Sequence, residues 1–297
     1  MMAIRIFKDA EGFRTALESR IKNISLKEGV DIMRLRRQFT FDRFLCRVFY
    51  GETDTVMLKG GYAIELRVAM ARTTKDIDLC MKKRKGPTLS PQEMYSFFQD
   101  KAALQLGDFI DFTVSPPSRL LTNAVYGGCR FSVDAEMSDR LFTRFTLDVS
   151  IGDGWIDDQD SLQPRDWPAF GLAFGLAFAG VPPLGFPATT VEQQLAEKIH
   201  SYTMPRQKPN SRVKDLVDIV LLTRNFKINR ERMADSLKRT FKLRATHSIP
   251  AELSLPPAAW GDRFSALADE SKLKLDLTGA FTLLKEFYES IAGDGSR

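Results

Sequence analysis

Two carboxylates separated by one residue, Asp76 and Asp78, stand in the segment Arg72-Thr-Thr-Lys-Asp-Ile-Asp-Leu79. On a strand, residues i and i+2 project from one face, so this pair points together. Ile77 and Leu79 then take the other face, as a half-buried strand requires. Two carboxylates held that close repel each other, and a divalent cation is the usual compensation. An edge strand carrying two solvated acids has the same local sequence. Upstream, Leu58-Lys-Gly-Gly-Tyr62 ends an apolar run in two glycines and opens a helix. Gly60 and Gly61 leave backbone N–H groups unobstructed at a positive helix end, which suits phosphate oxygens. A tight turn with positive φ would use the same pair. A third carboxylate is expected on a neighbouring strand. Asp148 is favoured, because an acid inside the apolar run Phe145-Thr-Leu-Asp-Val149 needs a partner or a metal. Asp134 competes with it and Asp111 trails.

The elements that must position these groups are legible from periodicity. Helical spacing is expected over Asp9–Ile24 and Gly29–Tyr50, the second carrying Arg34, Arg36, Arg37, Arg43 and Arg47 among its apolar positions. A short strand over Thr55–Leu58, a helix over Tyr62–Ala71 and a strand over Asp76–Met81 follow. Ser90 caps a helix running to about Gln105, and Asp111–Val114, Arg130–Glu136 and Arg144–Ile151 alternate as strands. That order predicts an α/β lobe on a mixed sheet over residues 1–155. Between Gly152 and Pro187 the pattern breaks into Gly, Pro, Trp and Asp with a tandem Gly-Leu-Ala-Phe, so residues 156–188 are read as an interlobe connection. Thr189/Thr190 with Glu192/Gln193 have capping-box spacing. Helices are expected through Arg212–Asn225, Arg230–Phe241 and a final pair from Gly261 to Ile291, making 189–297 a helical lobe.

Length and composition bound the rest. A chain of 297 residues with 43% hydrophobic and 27% charged residues folds into a globular core and is not disordered. No apolar run reaches the roughly 18–20 residues of a membrane span. The N-terminus carries acids where a signal peptide needs apolar residues, so secretion is not expected. Three dispersed cysteines suit a reducing cytosol, and the predicted location is cytoplasmic. Two histidines and no CxxC argue against a histidine- or cysteine-based zinc centre. P-loop, dinucleotide-binding, GxSxG and HExxH signatures are absent. The net charge of +5 is uneven: Lys198–Arg244 holds thirteen Lys/Arg against four acids. Such a field attracts polyanions, nucleic acid or nucleoside triphosphate, although solvated helix faces give the same count.

Gly60-Gly61 followed by Arg72-x-Thr74-x-Asp76-Ile-Asp78-Leu79 resembles the nucleotidyltransferase superfamily. More narrowly, the chain resembles the AbiEii/AbiGii (MenT-like) toxin family. Glu197-Lys198 matches that family's Glu-Lys helix element, and Lys214-Asp215-Leu-Val-Asp218-Ile219 matches its Lys/Arg-Asp-Leu-x-Asp-Leu helix element. Thr74 stands where the family usually has serine, and Tyr62 follows the glycines where a small residue is common. The resemblance implies a bilobal nucleotidyltransferase fold, with a mixed-sheet N-terminal lobe and a helical C-terminal lobe. It implies magnesium on Asp76 and Asp78, with Asp148 completing the site on the general superfamily scheme. Asp76, Asp78, Lys198 and Asp215 would be catalytic. Gly60, Gly61, Arg72, Thr74 and Lys214 would bind the donor's phosphates. The donor would be a nucleoside triphosphate, the acceptor RNA at a transfer-RNA 3′ end, and the partner a cognate antitoxin. Transfer to a protein hydroxyl, or a catalytically silent nucleic-acid-binding module, are the alternative readings.

Overall fold

The computed structural model describes residues 7–51, 54–122, 124–164, 185–206 and 211–292. The chain divides into two compact units, one from Met1–Tyr62, Lys75–Trp155 and Asp160–Ala188, the other from Ala63–Thr74, Ile156–Gln159 and Thr189–Arg297. No helix among the described residues is long and apolar enough to cross a membrane.

The first unit opens with α1 (Ala10–Glu28), whose N-cap Asp9 accepts from the Gly12 amide, and α2 (Ile32–Val48), capped by Asp31. Gly29 ends α1 in the left-handed region at φ 67°, which is why the second helix starts later than its periodicity predicts. The arginines of α2 are structural. Arg47 is fully buried and grips Asp108 through two nitrogens at 2.7 and 2.9 Å, while Arg43 reaches the same carboxylate at 2.6 Å. Burial alone would raise the Asp108 pKa, but the two guanidinium groups outweigh it and hold the carboxylate ionised.

Its mixed sheet contains β1 (Val56–Lys59), β2 (Asp76–Met81), β3 (Asp111–Val114), β4 (Arg119–Leu120), β5 (Gly128–Met137), β6 (Arg140–Ile151), β7 (Asp160–Leu162) and β8 (Phe186–Ala188). The order is β3-β5-β6-β2-β1-β8-β7, with β4 on β5. Strands β2 and β6 run parallel, as do β1 and β8; the other pairs are antiparallel. The β5–β6 hairpin turns at Ser138-Asp139, both at positive φ, and carries a bulge at Ala135/Glu136. Phe41, Phe44 and Phe145 pack edge-to-face between α2 and the sheet. Residues 156–188 are not wholly a connection, because Asp160–Leu162 and Phe186–Ala188 pair with each other and β8 pairs with β1. The tandem Gly-Leu-Ala-Phe lies outside the described residues.

β1 leads into α3 (Gly60–Arg67), which starts on the glycines themselves, and α4 (Pro91–Ala102) follows β2 with a capping box between Ser90 and Glu93. The second unit contains the remainder of α3, the extended stretch to Thr74, Ile156–Gln159, a 3-10 turn at Ala258–Trp260 and five α-helices: α5 (Val191–Thr203), α6 (Val213–Asn225), α7 (Arg230–Arg244), α8 (Gly261–Glu270) and α9 (Leu277–Ala292). Thr190 caps α5 by accepting from the Gln193 amide. Ile64, Val68 and Ala71 share a core with Leu195, Ile199, Leu216, Ile219, Phe264 and Leu284. The apolar spacing of 64–71 therefore commits that segment to the helical core, and this moves the division away from residue 155.

Candidate active site

In the first unit, β2 lies between β1 and β6, so each of its residues has a neighbour on both sides. Asp78 is opposite Lys59 on β1 and Asp148 on β6, and Asp148 is opposite Arg130 on β5. Lys59, Asp78, Asp148 and Arg130 form one row across four strands, with the two acids in the middle. Directly paired residues share a face, so the row projects to one side. Asp76 belongs to the adjacent same-face row with Thr146 and Ser132. The intervening Ile77, Leu147 and Phe131 are fully buried on the other face. The alternation read from sequence is thus realised.

Gly60 sits beneath this row. Its φ of 67° is left-handed, and an ideal Cβ there would lie 2.0 Å from Asp78 Oδ2 and 2.6 Å from its Cγ. Any side chain would displace the carboxylate, so the position requires glycine for both backbone and contact. Tyr62 points away into the core, its ring 4.9 Å from Phe41 and its hydroxyl 2.7 Å from Asp42 Oδ1. It supports α3 against α2.

The three acids considered for the third carboxylate separate cleanly. Asp148 alone of them lies directly beside Asp78. Asp134 pairs with the exposed Arg144, one nitrogen at 2.6 Å, and lies beyond the β2–β6 pairing. Asp111 is exposed on β3 and accepts from Gln105 at 3.2 Å. Asp148 is itself held by Arg130, Nε to Oδ1 at 2.7 Å and Nη2 to Oδ2 at 2.6 Å. The hydrogen bond to Asp148, its charge, and the charges of Asp76 and Asp78 together raise the Arg130 pKa despite partial burial. Asp76 and Asp78 offer hard oxygen donors of the kind magnesium takes. Among the described residues, no three His, Cys, Asp or Glu side chains form a ready metal cage.

A second polar cluster lies within the helical unit. Asp218 of α6 is buried to 1% side-chain exposure and accepts from Arg72 Nε at 2.9 Å, Arg72 Nη2 at 2.8 Å and Lys198 Nζ at 2.6 Å. Lys198, on α5, also reaches Asp215 Oδ1 at 3.2 Å. The other Asp215 oxygen makes no hydrogen bond and has Arg212 Nη1 at 3.7 Å. Asp215 and Asp218 lie three residues apart on one helical face. Burial opposes charge on Lys198 and on Asp218. Their mutual attraction overrides it, raising the lysine pKa and lowering the aspartate's, so both stay ionised. Thr74 is buried with its amide 3.2 Å from Glu65 Oε2. Lys214 is exposed, and Glu197 bonds Arg244 at 3.1 Å. The structure therefore gathers Arg72, Lys198 and Asp215 around Asp218, and leaves Lys214 at the surface.

The sequence model of a family described as nucleotidyl transferase AbiEii toxin, type IV toxin–antitoxin system, matches residues 43–284. The chain belongs to the AbiEii family. The resemblance expected from Gly60-Gly61 and the Asp76/Asp78 strand is borne out. The AbiEii fold is seen again in MenT4, a nucleotidyltransferase toxin from Mycobacterium tuberculosis H37Rv, at 12% identity and a TM-score of 0.56, covering 93% of this chain and 98% of that one. JHP933 from Helicobacter pylori is similar at 12% identity and a TM-score of 0.47, covering 89% and 94%. No curated protein matches in sequence. As an AbiEii member, the protein is a nucleotidyltransferase toxin of a type IV toxin–antitoxin system, a class with a nucleoside triphosphate substrate and a cognate antitoxin.

Two residues of this AbiEii chain escaped sequence reasoning. Arg130 had no signal of its own; only its place opposite Asp148 marks it. Asp218 was visible as an acid one helical turn from Asp215, but the spacing did not show that it, and not Asp215, would be the hub.

Proposed function

We propose that this toxin transfers a nucleoside monophosphate from a nucleoside triphosphate to a hydroxyl at the 3′ end of transfer RNA, releasing pyrophosphate and arresting translation and growth. The observation that carries this reading is Gly60 pressed against Asp78, beside Asp76 on one sheet face. In an AbiEii nucleotidyltransferase, that combination would set a phosphate-accepting backbone turn against two carboxylates suited to a cation. Asp76 and Asp78 would hold magnesium. Bound there, the ion would supply Lewis-acid polarisation of the triphosphate and activation of the attacking oxygen.

The rest falls to the chain's own groups. The acceptor hydroxyl gives up its proton to solvent, its oxygen forms a bond to the α-phosphorus as the bond from that phosphorus to the bridging oxygen breaks, and the electron pair leaves with pyrophosphate. Backbone N–H groups at Gly60 and Gly61, with Thr74, would bind phosphate oxygens. Lys198 would balance charge growing on the leaving group, a role that suits an amine kept fully protonated by Asp218 and Asp215. Asp215 would orient that lysine and the incoming hydroxyl. Arg72, expected among the phosphate ligands, serves through Asp218, and Lys214 would meet the acceptor or donor from the surface. For an RNA acceptor the support is charge. Arg230, Arg232, Lys238, Arg239 and Lys242 are exposed on α7, and Lys83, Arg84 and Lys85 are exposed after β2. The cytoplasm is the compartment where such an acceptor is met.

The test is to incubate the protein with total RNA, magnesium and each α-labelled nucleoside triphosphate in turn, beside Asp76→Ala. Label on a transfer-RNA-sized band with one nucleotide favoured, and none from the variant, is the expected result. Label on protein would replace RNA by a protein hydroxyl, and no transfer with any nucleotide would refute the enzyme reading.

A further inference from the structure

The row across the sheet places Arg130 and Asp148 together at one end and Asp78 at their side. Both Asp148 oxygens are already taken by a forked guanidinium at 2.6 and 2.7 Å. Paired carboxylate–guanidinium contacts of this kind are short, directional and mutually charged. A cation bound through the same carboxylate would stand next to a fixed positive charge, so Asp148 is a poor third ligand while Arg130 holds it. Guanidinium has five N–H donors, and Asp148 uses two. Three remain on an arginine whose side chain is 36% exposed, whereas Asp148 is 16% exposed. Arg130 also lies close enough to Asp76 and Asp78 for their charges to act on it. A guanidinium anchored by one acid, next to two acids suited to a cation, is arranged for an oligophosphate that bridges cation and arginine. A planar fork suits that ligand better than a point charge does.

We propose that Arg130 is a contact for the donor's phosphate oxygens, and that Asp148 is the positioning residue that aims it instead of a third metal ligand. This rests on the nucleotidyltransferase reading above only in taking a triphosphate as the ligand. The register supports it independently. The bulge at Ala135/Glu136 is what sets Arg130 opposite Asp148; an unbroken hairpin register from the Met137/Arg140 pair would set it opposite Leu147. The chain departs from a regular ladder, and one result is a charged pair on the acid-bearing face.

The test separates cation from anion. The double substitution Arg130→Gln with Asp148→Asn removes one charge of each sign, so the local field on Asp76 and Asp78 is nearly conserved. Mn²⁺ binding is measured by electron paramagnetic resonance on protein alone. Binding of inorganic tripolyphosphate, which has no base to recognise, is measured by calorimetry with Mn²⁺ in excess. The double variant is expected to bind Mn²⁺ within about threefold of wild type and tripolyphosphate about tenfold or more weakly, the size of a lost charge-assisted hydrogen bond. Arg130→Gln alone should weaken tripolyphosphate at least as much without weakening Mn²⁺. Asp76→Asn should lose Mn²⁺ in the same assay, and circular dichroism confirms that each variant is folded. A tenfold or greater loss of Mn²⁺ by the double variant overturns the proposal and makes Asp148 a metal ligand. Unchanged tripolyphosphate affinity in Arg130→Gln overturns it as well. A wild-type protein that binds both probes but transfers no nucleotide would refute the enzyme reading and leave this assignment standing.

Discussion

Replacing Gly60 by alanine tests the geometry under Asp78 most directly. The new Cβ would lie 2.0 Å from Asp78 Oδ2, against a practical lower limit of 3.0 Å for such contacts. The carboxylate must therefore retreat by about 1 Å or the turn must open. A displacement of about 1 Å at a reacting centre costs on the order of 10²-fold in rate. A residue other than glycine at a φ of 67° adds about 1–2 kcal/mol of backbone strain. Gly29→Ala supplies the control: it has the same φ of 67° and nothing within 4 Å of its Cβ position. Both variants should lose a few degrees in thermal unfolding, Gly60→Ala the more because of its contact with Asp78. Only Gly60→Ala should lose Mn²⁺ affinity and roughly a hundredfold in label transfer. If Gly60→Ala transfers label as fast as Gly29→Ala, the contact with Asp78 is not part of the catalytic geometry and the reasoning fails.

Other outcomes follow from the same structure. Asp218→Ala leaves Arg72 and Lys198 without their shared buried counter-ion and should cost about 3–5 kcal/mol, read by chemical denaturation. Because burial is outweighed by Lys198 and Arg72, the Asp218 pKa is depressed, so its stabilising contribution is present above the ordinary carboxylate pKa and disappears as pH falls through the lower folded value. Asp218→Asn should lack that acid-side loss in a stability-versus-pH series. Burial pushes the Cys46 thiol up to about 11, so it should resist iodoacetamide at about pH 8 until the protein is unfolded. Its contribution to stability is complete below the ordinary thiol pKa and is lost as pH rises toward about 11. RNA affinity should fall linearly in log–log form with salt, by a slope of about 0.7 per neutralised single-strand phosphate, and a flat response in filter binding would exclude the basic faces as the RNA contact.

Much of the fold was legible because local signals agree with the tertiary result. Asp76–Met81 and Asp111–Val114 are strands where alternation put them, and the Ser90 cap and the Thr190 cap both form. The short strands β7 and β8 were hidden because three residues carry no period; they are strands through pairing with each other and, for β8, with β1, well over a hundred residues away. The Asp76/Asp78 face was legible for the same reason as its strand, since a period of two needs no knowledge of neighbours. Arg130 was not. Its orientation depends on a one-residue bulge, and a bulge reverses which face every later residue occupies. The grouping of Lys198 with Asp218 likewise needed two helices packed at a register that neither sequence segment encodes alone.

The row of Lys59, Asp78, Asp148 and Arg130 also has a history in time. Its left half comes from β1 and β2, neighbours in sequence, and its right half from the β5–β6 hairpin, closed by a two-residue turn. Each half can form from local contacts, whereas the β2–β6 seam joins Asp78 to Asp148 across about seventy residues and must close a long loop first. Closing this seam costs more chain entropy than forming either half. A chain still emerging from the ribosome holds Asp78 and Asp148 on unjoined halves until β6 is out, so the acid-bearing row cannot exist on a shorter nascent chain.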